Sequence, residues 1–319
     1  MKILFITSTR IGDAVLSTGL LCELVRSHPT IDITVACGPA AAPIFAETPN
    51  LKTVLRMNKR VASLHWLDLW KKCVSIRWDI IVDLRNSPVS RMLFAKSRYF
   101  MKRNDPSQHR VQQLGSVMGL FPPPPPHLWI SGEHEQAAKK LLPERDRALA
   151  LGPMANWRGK EWQPEKFSEL ACRLTKDGGI LAGAPVLILG SDGERLRAEK
   201  MASDIPWPKC INLAGKLDLL TAYAVLRRSA LFIGNDSGLM HIAAASGVPT
   251  LGLFGPSREE HYGPWGEKAA WVRTCKTYDE LVGQPGYDHR NTGSLMSSLS
   301  IDQVEEAVIS LWCRVGRAN

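Results

Sequence analysis

The chain opens Met1-Lys2-Ile3-Leu4-Phe5-Ile6-Thr7-Ser8-Thr9-Arg10-Ile11-Gly12-Asp13-Ala14-Val15-Leu16, and this stretch decides the fold. Residues 3–7 are almost wholly apolar without alternation, which predicts a short strand buried on both faces. Residues 9–13 read as a tight loop, in which Gly12 permits a close turn. Residues 14–27 read as a helix. Strand, short loop and helix make the first half of a βα unit on a parallel sheet.

Working outward, the alternation continues. Strands are predicted at residues 31–37, 52–56 and 80–84, and helices at 40–47, 64–72 and 110–118. The basic segment 88–110 shows no assignable period. The run Pro122–Pro126 cannot be helical and reads as an extended polyproline piece carrying the chain toward a second domain. A polar helix follows at residues 133–142. Further strands are predicted at 148–152, 185–190, 231–234 and 249–254. The helices between and after them fall at 164–177, 193–203, 219–228 and 238–246, with an amphipathic helix at 301–313. Pro164 suits a first helical turn.

A length of 319 residues is long for one core and implies two domains. The expected fold class is α/β, with two Rossmann-like domains whose parallel sheets face each other across a cleft. The expected boundaries are an N-terminal domain at 1–145 and a C-terminal domain at 146–300. The helix within 301–319 is expected to pack back toward the N-terminal domain.

Composition narrows the class. With 45% apolar and 22% charged residues the chain is globular. The apolar start is too short for a signal peptide, and no apolar run approaches the roughly 20 residues of a membrane span, so a cytoplasmic protein is expected. Seven cysteines, irregularly spaced, match neither a disulfide framework nor a metal motif and read mostly as buried small hydrophobes. The charge is uneven: residues 1–120 hold 17 Lys/Arg against 8 Asp/Glu, and the remainder 23 against 23. An acidic partner for the first domain follows, unless the excess only solubilises one face. Nucleic acid is not the expected partner, because aromatic and basic residues interleave only at Arg98-Tyr99-Phe100.

Four loops at predicted carboxyl ends of strands could carry chemistry. In the first, Asp13 is either a functional carboxylate or an ordinary helix N-cap. In Gly234-Asn235-Asp236-Ser237-Gly238, free amides at a helix start suit a diphosphate, although capping explains half of these residues. Arg158 or Lys160 could neutralise a leaving diphosphate, or be plain surface-loop cations. Glu194, in Gly190-Ser191-Asp192-Gly193-Glu194, suits ribose hydroxyls. No GxSxG elbow, HExxH, Walker A or GxGxxG is present.

Three ordered motifs now carry a resemblance. They are Gly12-Asp13-Ala14-Val15-Leu16-Ser17-Thr18, then Lys160-Glu161-Trp162-Gln163-Pro164-Glu165-Lys166-Phe167, then Asn235-Asp236-Ser237-Gly238-Leu239-Met240-His241-Ile242-Ala243-Ala244-Ala245 with Leu253-Phe254-Gly255-Pro256 beyond it. Together they resemble the ADP-heptose:lipopolysaccharide heptosyltransferases, glycosyltransferase family 9, of GT-B architecture. The resemblance implies inverting transfer of a heptose from ADP-heptose to the lipopolysaccharide inner core, with no cofactor and no metal. It makes Asp13 the general base and Lys160 the group that steadies the donor diphosphate. Asp236, Ser237, Gly238 and His241 then belong to the donor site, and Glu194 lies near the ribose.

The basic N-terminal residues Arg10, Arg56, Lys59, Arg60, Arg91 and Arg98 become candidates for the phosphorylated, lipid-linked acceptor. The expected setting is peripheral, on the anionic cytoplasmic face of the inner membrane. Asn156-Trp157-Arg158 departs from the small hydroxylated residues often found before the motif lysine, which leaves the sugar open. Two alternatives stand beside this reading: a transferase of the same fold with another nucleotide sugar or acceptor, and a non-catalytic nucleotide- or glycan-binding protein.

Overall fold

A computed structural model describes the chain except for residues 60–62, 102–104, 106, 144–146, 206–209, 284–286, 289–290 and 317–319. It divides into two compact units, Met1–Ser131 and Gly132–Asn319.

In unit 1, β1 (Lys2–Ile6), α1 (Ile11–Ser27), β2 (Asp32–Cys37), β3 (Leu51–Arg56), α2 (His65–Cys73), β4 (Trp78–Asp83), α3 (Val89–Met92), β5 (Ala95–Phe100) and α4 (Arg110–Val117) follow in order. The five strands form one sheet in the order β3-β2-β1-β4-β5, every pair parallel. The near-continuous apolar run of β1 is explained by its central place: Ile3, Leu4, Phe5 and Ile6 are all fully buried. Edge strands β3 and β5 keep exposed polar positions.

One face of the sheet is covered by α2 and α3, whose Leu69, Cys73 and Val89, with Leu93 just beyond α3, join Leu4, Ile6 and Ile81 in a single cluster. The polyproline run lies on α1 and α4. A side chain at Gly19 would meet the Pro124 carbonyl oxygen at 2.3 Å, one at Gly115 would meet Pro123, and the His127 amide donates to Thr18 Oγ1 at 3.0 Å.

In unit 2, α5 (Gly132–Leu141), β6 (Leu149–Gly152), α6 (Pro164–Thr175), β7 (Val186–Ile188), α7 (Arg195–Ser203), β8 (Cys210–Asn212), α8 (Leu219–Leu226), β9 (Leu231–Asn235), α9 (Gly238–Ser246), β10 (Thr250–Phe254), α10 (Glu259–Tyr262), β11 (Ala269–Arg273), α11 (Tyr278–Val282) and α12 (Ile301–Gly316) follow. The six strands are again all parallel, in the order β11-β10-β9-β6-β7-β8. Both sheets thus reverse direction beside their first strand, the doubly wound arrangement that places ligands at the carboxyl ends of the strands flanking the reversal.

Several expectations differ from the structure. The unassigned segment 88–110 contains α3 and β5; as an edge strand with polar exposed positions, β5 carries no apolar signal. The helix expected at 40–47 is only a 3-10 turn at Ala42–Phe45, with Pro43 in its first turn. The short edge strands β8 and β11 were not anticipated.

The units divide at Ser131, not at 145, because α5 packs on α8: His134 lies 3.8 Å from Asp218, and Arg228 Nε donates to the Leu142 carbonyl at 2.8 Å. Nor does the last helix leave unit 2. Val304, Val308 and Leu311 of α12 sit in its core with Trp162 and Phe167, and Arg173 of α6 holds Asp302 and Glu305 at 2.6 and 3.0 Å. The cysteines are also less buried than expected: Cys37 and Cys73 are buried, Cys22, Cys172 and Cys210 are intermediate, and Cys275 and Cys313 are exposed.

Candidate functional site

In unit 1 the reversal point lies between β1 and β4, where Ile6 pairs with Asp83. The β1 loop is fastened by a Thr7–Ser17 hydroxyl pair at 2.8 Å. Arg10, in extended conformation, is the N-cap of α1 and makes no side-chain cap. Asp13 therefore stands inside the first turn and is not the N-cap. Its half-buried carboxylate accepts a long hydrogen bond from Ser8 Oγ at 3.4 Å, and that hydroxyl also accepts from the Arg10 amide at 3.2 Å. A carboxylate so lightly engaged keeps acceptor capacity for another group.

Asp83, missed in the sequence, does the opposite. It is fully buried and accepts from the amides of Arg85 and Ser87 and the hydroxyls of Ser87 and Ser90, at 2.6–2.9 Å. Those four bonds shape the loop that follows β4.

The basic candidates fall into distinct environments. Arg10, Arg56 and Lys59 are exposed at or just beyond the carboxyl ends of β1 and β3. Arg91 donates to Asn86 Oδ1 at 2.6 Å and lies over the Phe100 ring. The Arg98 guanidinium is spent on the backbone carbonyls of Ser90, Leu93 and Ala95, so it ties α3 to β5. Arg60 lies outside the described residues.

In unit 2 the reversal point lies between β6 and β9; two sets of contacts tie the loops that leave them, and a third fastens the β6 loop to α7. Lys160 Nζ is ion-paired with Asp236. Asn235 is fully buried; its amide donates to the Pro153 carbonyl at 2.7 Å and accepts from the Trp162 amide at 3.1 Å. Glu161 accepts from the Ala155 amide at 3.1 Å and is paired with Arg197 of α7. The hydrogen bond to Glu161 raises the Arg197 pKa above its ordinary value, so the guanidinium stays charged.

A third segment closes on the lysine loop from the side. Ser294 Oγ donates to the Glu161 carbonyl at 2.6 Å, the Leu295 amide to the Gly159 carbonyl at 3.0 Å, and the Trp162 indole to the Leu299 carbonyl at 2.9 Å.

Ser237 is the N-cap of α9 without a side-chain cap, and its hydroxyl is buried without a partner. Gly238 begins the helix, and His241 is buried within it. The first amides of α9 are therefore presented for an anion beside the Lys160 ammonium. Glu194 closes a capping box, its Oε2 accepting from the Ser191 amide at 2.7 Å. Beyond β10, Ser257 also holds a buried, unpartnered hydroxyl. Arg273 braces that region through Glu259 and the carbonyls of Gly255 and Lys276.

The sequence placed Lys160 and Asp236 in separate loops, and the fold brings them into contact. It did not reveal Asn235 as the bridge or the Glu161–Arg197 pair; the only available signal was that Asn235 and Glu161 sit inside the two motifs. Among the described residues, no helix is long and apolar enough to cross a membrane.

Two doubly wound units, one with an ion-paired lysine and an uncapped helix start at its reversal point, define an α/β protein with anion-attracting groups at the carboxyl ends of its second sheet. Comparison with known proteins specifies the class. Residues 90–282 match the description "Glycosyltransferase family 9 (heptosyltransferase)". The chain is 32% identical to lipopolysaccharide heptosyltransferase 2 of Escherichia coli, over 88% of this chain and 90% of that one. It is 25% identical to lipooligosaccharide heptosyltransferase 2 of Haemophilus influenzae, over 96% and 99%.

In fold it is similar to the Escherichia coli ADP-heptose lipopolysaccharide heptosyltransferase II, with a TM-score of 0.74, 21% identity and coverage of 99% and 100%. It is also similar to a family 9 glycosyl transferase of Veillonella parvula, with a TM-score of 0.77, 20% identity and coverage of 98% and 97%. The chain belongs to glycosyltransferase family 9 and is a glycosyltransferase.

Proposed function

We propose that the protein transfers a heptose from ADP-heptose to the inner core of lipopolysaccharide with inversion at the anomeric carbon, while peripherally associated with the cytoplasmic face of the inner membrane. The observation that carries the donor half is the Lys160–Asp236 pair beside the uncapped start of α9. Relatives named for lipopolysaccharide and lipooligosaccharide heptose transfer support the substrate class.

In this reading the donor diphosphate is held by the first amides of α9, by the Ser237 hydroxyl and by Lys160. Asp236 keeps the lysine oriented, and His241 backs the turn. Glu194 is assigned to the ribose through the carboxylate oxygen that Ser191 does not use. The acceptor is assigned to unit 1, where Arg10, Arg56 and Lys59 meet its phosphates.

Asp13 takes the proton of the acceptor hydroxyl as that oxygen forms its bond to the anomeric carbon. The bond from that carbon to the phosphate oxygen breaks in the same step, and ADP leaves with the electron pair. Lys160 and the α9 amides stabilise the charge that develops on the leaving phosphate.

The test is transfer from a panel of ADP-, GDP- and UDP-sugars to truncated lipopolysaccharide, for the wild type and Asp13→Asn. Transfer from ADP-heptose that falls by at least ~10³-fold in the variant, with ADP binding retained, is the expected outcome. Near-normal turnover in Asp13→Asn rejects the base assignment. A second reading, the same chemistry with another sugar, is favoured by Trp157, whose indole packs on Gly159 just before Lys160. Preference for a different donor in the panel selects it.

A further inference from the structure

Unit 1 carries an exposed apolar face that the transfer reaction does not use. Leu64 and Leu67 are 50% and 47% exposed, Met92 64% and Phe94 71%. All four belong to α2, α3 or the residues beside them, and those two helices pack together. Their inner residues, Leu69, Cys73, Val89 and Leu93, fill the cluster beneath.

The opposite side of each helix is therefore the exposed one. Leu64 and Leu67 are three residues apart, and Lys71 follows four later, which sets all three on one stripe of α2. Leu93 is buried in extended conformation, and its neighbours Met92 and Phe94 are consequently turned outward. Exposed Lys71, Lys72 and Arg77 adjoin the stripe. The neighbouring acidic groups are subdued: Asp68 is half-buried and engaged, and Asp79 is paired with Lys96 at 2.6 Å.

Clustered apolar side chains of this size are uncommon on a surface that meets only water. Leucine, methionine and phenylalanine tips beside lysine and arginine match the boundary between acyl chains and anionic headgroups. The formal charge excess of the whole chain lies in the same part of the sequence, residues 1–120. A second copy of the chain would bring the same cations against each other.

We propose that the α2–α3 face of unit 1 docks on an anionic phospholipid bilayer, with Leu64, Leu67, Met92 and Phe94 entering the headgroup–acyl boundary and Lys71, Lys72 and Arg77 meeting lipid phosphates. This rests on the reading of a lipid-linked acceptor and names the surface that would bring the enzyme to it.

The test is flotation of the full-length protein with vesicles of phosphatidylethanolamine and phosphatidylglycerol, and with vesicles of phosphatidylcholine alone. The wild type binds the anionic vesicles at least ~10-fold more tightly than the neutral ones, and the difference shrinks on raising salt several-fold. Phe94→Glu and Leu67→Glu each lower anionic-vesicle binding by at least ~10-fold, as does the pair Lys71→Glu and Lys72→Glu.

Unchanged melting temperature and ADP binding show that the variants are folded. Phe121→Glu, also exposed but outside these helices, leaves vesicle binding as in the wild type. Equal binding by Phe94→Glu and wild type, or no binding to anionic vesicles by the wild type, overturns the proposal. So does a wild-type dimer that Phe94→Glu dissociates without loss of vesicle binding. None of these measurements needs a donor sugar, so a failure here is separate from a failure of ADP-heptose transfer to a soluble acceptor fragment.

Discussion

The ammonium of Lys160 is ion-paired with the carboxylate of Asp236, a residue 76 positions further along the chain. The Asp236 side chain is only 7% exposed and that of Lys160 23%, so the two are unequal partners. Removing the lysine strands a nearly buried carboxylate, whereas removing the carboxylate leaves a lysine that still reaches water. Lys160→Met should cost roughly 2–4 kcal/mol and Asp236→Asn less, with the double variant recovering part of the loss. Denaturant unfolding of the four proteins measures this. A loss in the double variant equal to the sum of the two single losses would show that the pair is not coupled.

Asn235 makes a second prediction. Asn235→Ala leaves the Trp162 amide and the Pro153 carbonyl unpaired in the interior. Each orphaned group costs about 1–3 kcal/mol, so a total of roughly 2–6 kcal/mol is expected. Because the same bonds set the loop that bears Lys160, ADP affinity measured by calorimetry should fall as well. Loss of stability with unchanged affinity would detach this residue from the site.

Gly19 sets two effects against each other. Alanine gains ~1 kcal/mol over glycine within a helix. Its methyl, however, would meet the Pro124 carbonyl oxygen at 2.3 Å and that of Pro125 at 2.8 Å, both of them backbone atoms. The clash should win, and Gly19→Ala should lower the melting temperature by several degrees, an overpacking cost of about 1–3 kcal/mol net of propensity. A rise in melting temperature would contradict the close packing of the polyproline run.

The thiols give a prediction in pH. Burial pushes the Cys37 thiol up from 9.0 to about 12 and the Cys73 thiol to about 11. The folded protein keeps protons that the unfolded chain releases near pH 9.0, so this contribution is complete below that value and is lost as pH rises toward about 11 and 12. Stability of the wild type should therefore fall more steeply above pH 9.0 than that of Cys37→Ala. In native protein, a thiol reagent should label the exposed Cys275 and Cys313 first and reach Cys37 and Cys73 only on unfolding. Early labelling of Cys37 would refute the burial.

What was readable in the sequence follows from burial. Interior strands such as β10, and β1 from Ile3 onward, are buried, and their apolar runs announce a parallel sheet. Edge strands carry a mixed signal: Lys96 and Arg98 in β5 conceal a strand inside a basic segment, and β8 is only three residues long. Asp13, Lys160 and Asp236 stand out as candidates because charged residues at strand ends are few. Asp83, Asn235 and the Glu161–Arg197 pair were not, since each acts through contacts that only the fold creates. The role of Arg98 shows the reverse, a cation whose charge suggested a ligand while its geometry serves the backbone.

The attachment of α5 to α8 has a practical corollary for dissecting the chain. A fragment begun at the boundary read from the sequence would strip α8 of the helix that covers it, leaving Asp218 without His134 and Arg227 without Glu135. A fragment begun at Gly132 carries its own lid for that surface. The place to cut, label or splice this protein is accordingly the junction between Ser131 and Gly132, past the proline run that is packed on the first half.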